Sequence, residues 1–315
     1  MHIYKLLLVL ILLCSCGGGS SSSGIENNAQ NIQSLNSTEV CTNTQVANLK
    51  RCDLVHDNID RFYYLYKPSN LDTNSSVAVL FALHGYGSSA MTHFNYTNYE
   101  PIANENNFIV VYPQGTTNNG LNTHWNNGGW TSKSTAKDIE FIDSVIDYIK
   151  NKIAIDETRI YSSGMSNGGY MSYHLACNLD NTFAAVVSVT GSMTNDTFDN
   201  CAPSHPIAAM QIHGVQDLTV PYLGSGWSKS IDDVIDYWVS YNSCDSEPER
   251  VIKYSNQTDL INFDTYAGCL NNINVKLILH SGMGHNWPFI QNYNIDASQE
   301  IWDFVSKYDI NGLRN

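Results

Sequence analysis

The sequence has little positive charge. Only 16 of its 315 residues are Lys or Arg, against 30 that are Asp or Glu, and the formal net charge is −14. No run of Lys and Arg interrupts this excess of negative charge. Because an acidic surface repels phosphate backbones and anionic headgroups, the composition excludes nucleic acid and a charged lipid surface as expected partners.

Long hydrophobic runs are also missing. One apolar run of about ten residues follows Lys5 and precedes small residues, which is too short for a membrane span and has the proportions of a signal peptide over residues 1–15. Leu13-Cys14-Ser15-Cys16 resembles a bacterial lipobox and predicts a lipid on Cys16, and Gly17 favours the outer membrane. An ordinary signal peptide cleaved nearby is the alternative, which would give a secreted protein.

Residues 16–39 are rich in Gly and Ser and then in Asn and Gln. Such a segment has nothing to bury, so it predicts a flexible tether. The remaining residues, 40–315, contain no second linker and no internal repeat. They are expected to form one domain, a monomer attached to a membrane only through the lipid.

Metal-binding motifs are absent, because the sequence contains neither a CxxC nor an HExxH spacing. Six cysteines remain once the two near the N-terminus are set aside, and an even number in an exported chain predicts three disulfides. Six cysteines allow fifteen pairings. Pairing between sequence neighbours closes the shortest loops and is the prediction: Cys41 with Cys52, Cys177 with Cys201, and Cys244 with Cys269.

Apolar runs alternate with helical patterns along the domain. The runs at 77–83 and 108–113 are typical of strands buried on both faces, and a hairpin turn at Asp57-Asn58 leads into an early strand at 61–68. Apolar residues at steps of three and four within 136–152 predict an amphipathic helix. This alternation predicts an α/β fold with a mostly parallel sheet and helices on both faces. Later strands are predicted at 159–163, 183–191, 206–214 and 274–282, and later helices at 170–177, 231–241 and 297–308.

A glycine-flanked serine lies between a predicted strand and a predicted helix. Gly164-Met165-Ser166-Asn167-Gly168 fits the G-x-S-x-G pattern, in which small residues permit a tight turn that exposes the serine hydroxyl. A serine in an ordinary glycine turn would show the same residues, so the pattern alone is weak. Its place between strand and helix favours a nucleophile.

A serine nucleophile needs a base and a group that orients the base. Asp217 follows the strand at 206–214, and His285 lies in a glycine-containing loop after the strand at 274–282. The order Ser, Asp, His is that of α/β-hydrolases. His213 and His280 are rivals for the base, but both fall within or at the end of strands, where packed histidines are common.

Acyl transfer also needs donors for the oxyanion. The backbone N–H of Asn167, directly after the serine, is the first predicted donor. The second is the N–H of Tyr86, in the His-Gly-Tyr-Gly loop that follows the strand at 77–83. A tight glycine turn without catalytic function is the alternative for this loop.

The blocks HGYGSS, YPQGT, WNNGGW, RIYSSGMSNGGYMSYHLAC, HGVQDLTVPY and GMGHNWP resemble the secreted esterases that include polyhydroxybutyrate depolymerases and feruloyl or acetylxylan esterases. The resemblance covers about residues 60 to 308 and implies the α/β-hydrolase fold, a triad of Ser166, Asp217 and His285, and no cofactor or metal. Tyr86 and Phe289 depart from the residues that many members carry at these positions.

The resemblance implies a serine carboxylic-ester hydrolase that acts on an extracellular polyester or an acylated polysaccharide. Aromatic side chains are candidates for the substrate cleft, and we predict substrate contacts for Trp125, Tyr222 and Trp287. A serine peptidase of the same fold is the alternative, although no N-terminal propeller or large lid domain is evident. A non-catalytic surface binding protein on an esterase scaffold is a third possibility, which the complete set of catalytic residues disfavours.

Overall fold

Strand pairing organises the chain around an 11-stranded sheet. A computed structural model describes residues 39–72, 74–117 and 122–314, and the predicted signal peptide, Cys16 and all of the tether before Glu39 lie outside these residues. The strands are β1 Val40–Asn43, β2 Leu49–His56, β3 Ile59–Tyr66, β4 Val77–Leu83, β5 Phe108–Pro113, β6 Ile155–Met165, β7 Ala185–Val189, β8 Ala208–Gly214, β9 Glu249–Tyr254, β10 Leu260–Tyr266, β11 Val275–His280, β12 Tyr308–Asp309 and β13 Gly312–Leu313.

Helices connect the strands. They are α1 Ala90–Thr97, α2 Glu100–Asn106, α3 Asp138–Lys150, α4 Asn167–Asn178, α5 Asn195–Asn200, α6 Ile231–Tyr241, α7 Ile290–Tyr293 and α8 Ala297–Val305. Within the described ranges, no helix is both long enough and apolar enough to cross a bilayer.

The strand order is β1-β2-β3-β5-β4-β6-β7-β8-β11-β10-β9. The six central strands, from β5 to β11 in this order, are parallel, and antiparallel strands flank them on both sides. The predicted mostly parallel sheet is therefore confirmed. Because parallel strands end at one edge, the loops after β4, β6, β8 and β11 all lie on the same side of the sheet.

Two hydrophobic clusters cover the two faces of the sheet. All seven residues of β4 are buried, and they alternate between the clusters: Ala78 and Leu80 pack in one, Val79 and Phe81 in the other. Residues of α1, α2 and α8 belong to the first cluster, and those of α3, α4 and α6 to the second. Burial on both faces explains why β4 and β5 appear in the sequence as unbroken apolar runs.

Several predicted elements have the expected boundaries. The strands at 77–83 and 108–113 and the helix at 231–241 match β4, β5 and α6 residue for residue. The hairpin turns at Asp57 and Asn58, both with positive φ (51° and 60°), as a tight type I′ turn requires. The β9–β10 hairpin was not predicted, because every residue of β9 is exposed and the strand therefore lacks an apolar pattern.

Three disulfides close short loops in the pairs that the sequence analysis predicts: Cys41–Cys52, Cys177–Cys201 and Cys244–Cys269. The first joins β1 to β2, directly across the ladder. The other two connect segments around α4, α5, α6 and β10. Disulfides of this kind are typical of proteins that fold in an oxidising compartment.

Candidate active site

Ser166 lies in a sharp turn between β6 and α4. Its backbone has φ 54° and ψ −120°, a conformation that L-residues rarely adopt and that costs about 1–3 kcal/mol. Its N–H donates to the Val189 carbonyl (2.8 Å), and its own carbonyl accepts from the Tyr170 N–H (3.0 Å). The two ends of the turn are therefore fixed by β7 and by the first turn of α4.

The glycines on either side of Ser166 are required by close packing. A Cβ at Gly164 would lie 2.3 Å from the carbonyl carbon and oxygen of Gly168, and a Cβ at Gly168 would lie 2.1 Å from the Leu83 carbonyl oxygen. Neither contact is possible for a real side chain. The pair of glycines thus allows α4 to start directly against β6 and the end of β4, which forces Ser166 into its turn.

Asp217 and His285 form a hydrogen-bonded pair. The His285 Nδ1–H donates to Asp217 Oδ2 (2.7 Å), and Asp217 Oδ1 accepts from the backbone N–H groups of Thr219 and Val220 (2.9 Å each). Burial acts to raise the pKa of Asp217, but these hydrogen bonds outweigh it and the pKa lies below its ordinary value. The carboxylate is therefore ionised at neutral pH and holds the imidazole with Nε2 facing away from it.

The loops that carry Asp217 and His285 are fastened to each other. The Gln216 N–H donates to the Met283 carbonyl (3.0 Å), and the Val215 N–H donates to the His280 carbonyl (3.0 Å). A Cβ at Gly214 would lie 2.0 Å from the Met283 carbonyl oxygen, so the two loops approach as closely as backbones can. The distance between aspartate and histidine is thus set by the backbone.

The histidine loop also reaches the serine turn. The Tyr96 ring packs against Trp287 (centroids 5.8 Å apart), and the Tyr96 hydroxyl contacts Met165 Sδ (3.5 Å). Met165 precedes Ser166, and Trp287 lies two residues after His285. Among the described residues, neither the Ser166 hydroxyl nor His285 Nε2 forms a hydrogen bond, so both atoms are available to a third group.

Two backbone N–H groups lie beside Ser166. A Cβ at Gly85 would be 3.5 Å from Ser166 Cβ, which places the His84–Gly87 turn directly against the serine. In the described part of the chain, no hydrogen bond involves the N–H of Tyr86 or of Asn167. These two predicted oxyanion donors are therefore unengaged, as such donors must be.

A network of buried hydrogen bonds orients these donors. The Trp125 indole N–H donates to the His84 carbonyl (2.9 Å), and the Trp125 backbone pairs with the Asn167 side-chain amide in both directions (2.7 and 3.1 Å). The Asn127 amide donates to the Asn167 carbonyl (3.1 Å). One segment thus holds both sides of the site, the loop after β4 and the start of α4.

The rival histidines are occupied elsewhere. His280 Nδ1 accepts from the Gly282 N–H (3.0 Å), so its proton is on Nε2, which donates to the Ser255 hydroxyl (2.9 Å). His213 Nε2 donates to the Val220 carbonyl (3.0 Å), and its Nδ1 accepts from Gln211 (3.0 Å). Neither imidazole has a free lone pair, so neither can act as the base.

Part of the chain matches a known peptidase family, and most of it is similar to known esterases. A model of the prolyl oligopeptidase family (Peptidase_S9) matches residues 92–217. A bifunctional acetylxylan esterase/xylanase of Neocallimastix patriciarum is 28% identical over 80% of this chain and 34% of its own length. A probable feruloyl esterase C of Aspergillus flavus is 31% identical over 54% of this chain and 60% of its own length. The chain thus spans between a third and three fifths of these two relatives.

Solved structures agree on the fold. An acetyl xylan esterase from Aspergillus awamori superposes with a TM-score of 0.56 at 16% identity, covering 78% of this chain and 94% of that one. A ferulic acid esterase from Anaeromyces mucronatus gives 0.56 at 14% identity, with 85% and 93% covered. The chain has the α/β-hydrolase fold, and its sequence is similar to those of feruloyl and acetylxylan esterases.

Two of the side chains predicted to contact substrate are buried in this structure, and their substrate contacts stay predictions. Trp125 has no exposed surface, and its indole N–H donates a hydrogen bond to the His84 carbonyl. Trp287 is only 4% exposed and packs edge-on against His93, Tyr96 and Tyr99. Both side chains are part of the scaffold behind the site. Tyr222 is half-buried, with its hydroxyl bonded to Asp232, and its predicted substrate contact stays a prediction.

Sequence reasoning missed Trp227, which lies in the loop after Asp217. Its ring contacts Trp130 (centroids 4.5 Å apart) and Tyr170 (5.8 Å). Trp130 is 37% exposed, and Trp227 is partly exposed as well. Gly224 and Gly226 predict a turn before Trp227, but nothing in the sequence places that turn next to Trp130.

A depression of about 390 Å³ opens beside Tyr86, whose side chain is half exposed. The groups that line it are mostly hydroxyls and amides: Tyr86, Gly87, Ser88, Ser89, Thr92, Asn122 and Thr123. Its wall is tied to the loop after β4, because the Gly87 N–H donates to the Thr123 carbonyl (2.8 Å). Space for a polar group is therefore available next to the unengaged N–H of Tyr86.

We predict that the free energy of unfolding decreases as the pH falls from 6.5 towards 4. Burial lowers the pKa of His84 and of His213 to about 4, from 6.5 in the unfolded chain. The unfolded state therefore binds more protons in this interval, and each histidine removes about 2 kcal/mol of stability by pH 5. Urea unfolding at pH 7 and pH 5 measures the loss.

The control for this pH dependence is His213→Gln, which retains a donor for the Val220 carbonyl. The difference in unfolding free energy between pH 7 and pH 5 should shrink by about 2 kcal/mol in the variant. An unchanged difference would show that His213 is not the buried neutral group described above.

Proposed function

We propose that the protein is an exported serine esterase that removes acyl groups from an acylated polysaccharide through an acyl-enzyme. The observation that carries the proposal is the hydrogen bond between the ionised Asp217 carboxylate and His285, at the sheet edge where Ser166 is held in a strained turn. Such a pair orients an imidazole lone pair for proton abstraction. The strained turn presents the hydroxyl that would lose the proton.

The reaction starts when a substrate ester is bound at Ser166. The Ser166 hydroxyl proton passes to His285 Nε2 while Oγ attacks the ester carbonyl carbon, and the carbonyl electron pair moves onto oxygen. Asp217 stabilises the imidazolium that forms. Hydrogen bonds of this kind are often long without substrate and tighten in the complex, which accounts for the unpaired Ser166 and His285 atoms.

The negative oxygen is stabilised by the N–H groups of Tyr86 and Asn167. Loss of one such donor typically costs a factor of about 10²–10³ in kcat. Because the Trp125 segment fixes both donors before substrate arrives, little reorganisation is needed as the charge develops. The tetrahedral intermediate then expels the alcohol, which takes the proton from His285 and leaves the acyl group on Ser166.

Water completes the cycle. His285 removes a proton from a water molecule, and the hydroxide attacks the acyl carbon. The second intermediate collapses with release of the acid, and the proton returns to Ser166 Oγ. Every proton and electron pair is thus transferred between the substrate, water and the three side chains, and the sequence of steps uses no cofactor.

An acylated polysaccharide is favoured over a polyester by two observations. The similar proteins are named acetylxylan esterase and feruloyl esterase, and the first name refers to an acylated polysaccharide. The depression beside Tyr86 is lined mainly by hydroxyls and amides, which hydrogen-bond to sugar hydroxyls better than to a polyester chain.

The first test is Ser166→Ala. The variant should fold, since Ala adds no bulk, and should lose hydrolysis of p-nitrophenyl acetate by a factor of at least 10⁴. It should also lose labelling by a fluorophosphonate probe, which the wild-type protein should show at one site. Activity near that of the wild type in this variant would contradict the proposal, and a wild-type protein that does not label would favour the non-catalytic alternative.

A peptidase is the second candidate, because the prolyl oligopeptidase family matches residues 92–217. Two substrates distinguish the candidates: the p-nitrophenyl ester of a short peptide and the p-nitroanilide of the same peptide. An esterase cleaves the first and not the second. Peptide cleavage that depends on Ser166 and exceeds ester cleavage in kcat/KM would replace the proposed function with this one.

The second test is Asp217→Asn, which keeps the acceptor for Thr219 and Val220 but removes the charge beside His285. We expect kcat to fall by about 10³–10⁴ with the melting temperature nearly unchanged. Asp303→Asn is the matched control, because Asp303 is exposed on α8, away from the loops of the site, and its activity should stay within twofold. An Asp217→Asn variant that retains a tenth of the activity would be inconsistent with this role.

We also propose that the mature protein is attached to the outer membrane through a lipid on Cys16. The lipobox-like Leu13–Cys16 segment and the three disulfides support export. Metabolic labelling with radioactive palmitate in a Gram-negative host should mark the protein, and Cys16→Ser should abolish the label. Equal labelling of the variant would show that Cys16 is not the attachment point.

A further inference from the structure

Trp130, Trp227 and Tyr170 form an aromatic cluster, which we call the indole platform. Trp130 contacts Trp227 at 4.5 Å between centroids and Tyr170 at 5.1 Å, and the interplanar angles are 55° and 74°. Tyr170 is buried beneath the two indoles, which are both partly exposed. Two adjacent, partly exposed tryptophans packed on a buried tyrosine form an apolar patch at the surface, and such patches often mark binding sites.

The platform lies close to the nucleophile. Tyr170 is four residues after Ser166, about 6 Å along the helix axis, and its N–H donates to the Ser166 carbonyl (3.0 Å). The Tyr170 hydroxyl is hydrogen-bonded to Ser228 Oγ (2.6 Å), next to Trp227. The position of the indoles is therefore fixed relative to the reacting oxygen.

The chain brings the two tryptophans together by specific backbone arrangements. Gly129 has φ 56°, and a Cβ there would lie 2.9 Å from Thr194 Cγ2 and 3.2 Å from Trp227 Cε3. The Gly129 N–H donates to Asp196 Oδ2 (3.2 Å), and the Asn195 N–H donates to the Trp227 carbonyl (3.1 Å). Hydrogen bonds and close contacts thus join three segments, around Gly129, Asn195 and Trp227, and they fix the two tryptophans next to each other.

We propose that the indole platform binds a sugar ring of the polysaccharide that carries the ester, a subsite that rests on the proposed function. The apolar face of a pyranose ring packs flat on an indole, and its hydroxyls need polar partners at the edge. Such partners are present: Asp196 is exposed and Asn195 is half-buried beside the platform. Within the described residues, neither indole N–H has a hydrogen-bond partner, so both can bind sugar hydroxyls.

Other occupants fit the platform less well. The indoles are tilted by 55° to each other and so form no parallel slot for a flat aromatic acyl group. An acetyl group on Ser166 is too short to cross one helical turn. An apolar polyester would have to desolvate the Asp196 carboxylate without offering it a donor.

The experiment compares Trp130→Ala and Trp227→Ala with the wild type on acetylated xylo-oligosaccharides, methyl ferulate and p-nitrophenyl acetate. We expect KM for the oligosaccharides to rise at least tenfold, with kcat and p-nitrophenyl acetate hydrolysis within twofold. Trp227→Phe should recover part of the loss. Tyr254→Ala, an exposed aromatic at the far edge of the sheet in β9, is the matched control and should change nothing.

Three results would overturn the proposal: equal loss on all substrates, a selective loss on methyl ferulate, or no change. If the alanine variants do not fold, tryptophan fluorescence of Ser166→Ala titrated with xylohexaose gives the answer. A saturable blue shift that is smaller in the Ser166→Ala/Trp227→Phe double variant supports the subsite, and no shift, or an equal shift in the double variant, contradicts it. A wild-type protein without Ser166-dependent ester hydrolysis would refute the proposed function instead, and the titration would still report on the platform.

Discussion

Direct contact between the end of β6 and the start of α4 is the constraint on which the site depends. With glycine at 164 and 168, the strand and the helix touch backbone to backbone, and the turn between them can close only with Ser166 at φ 54°. This conformation costs about 1–3 kcal/mol, and packing of the strand and the helix in the folded protein offsets that cost. The same contact leaves the first N–H of α4 without a partner in the described structure, next to the serine hydroxyl.

The remaining groups reach Ser166 because the sheet is parallel at its centre. Strands β4, β6, β8 and β11 end on one side, and the loop after each carries one group of the proposed mechanism: a backbone N–H, the Ser166 hydroxyl, the Asp217 carboxylate and the His285 imidazole. Hydrogen bonds between loops then set the spacing, as between Gln216 and Met283. The Trp125 segment, which connects β5 to α3, serves no reacting atom but holds the loop after β4 and the amide of Asn167 together. The groups proposed to react and the segment that positions them thus follow different strands.

The sequence was most informative where burial is two-sided or where sterics allow one residue type. β4 and β5 were predicted to the residue because every position is apolar, and the serine turn was predicted because only glycine fits on either side. The burial of individual aromatic side chains could not be predicted from the sequence. Trp125 and Trp227 are both tryptophans near glycines, yet Trp125 is fully buried and Trp227 is partly exposed. The protonated nitrogens of His213 and His280 also could not be predicted, since they depend on partners distant in sequence, such as Val220 and Ser255.

In the proposed mechanism, Ser166, His285 and the two N–H groups act on one carbonyl. A crystal structure of the protein after reaction with a p-nitrophenyl phosphonate ester tests this most directly, because the adduct mimics the tetrahedral intermediate. We expect phosphorus bonded to Ser166 Oγ and one phosphoryl oxygen within about 3.2 Å of the backbone nitrogens of Tyr86 and Asn167. His285 Nε2 should lie within hydrogen-bond distance of an adduct oxygen. Phosphorus on another residue, or a phosphoryl oxygen directed away from both nitrogens, would contradict it.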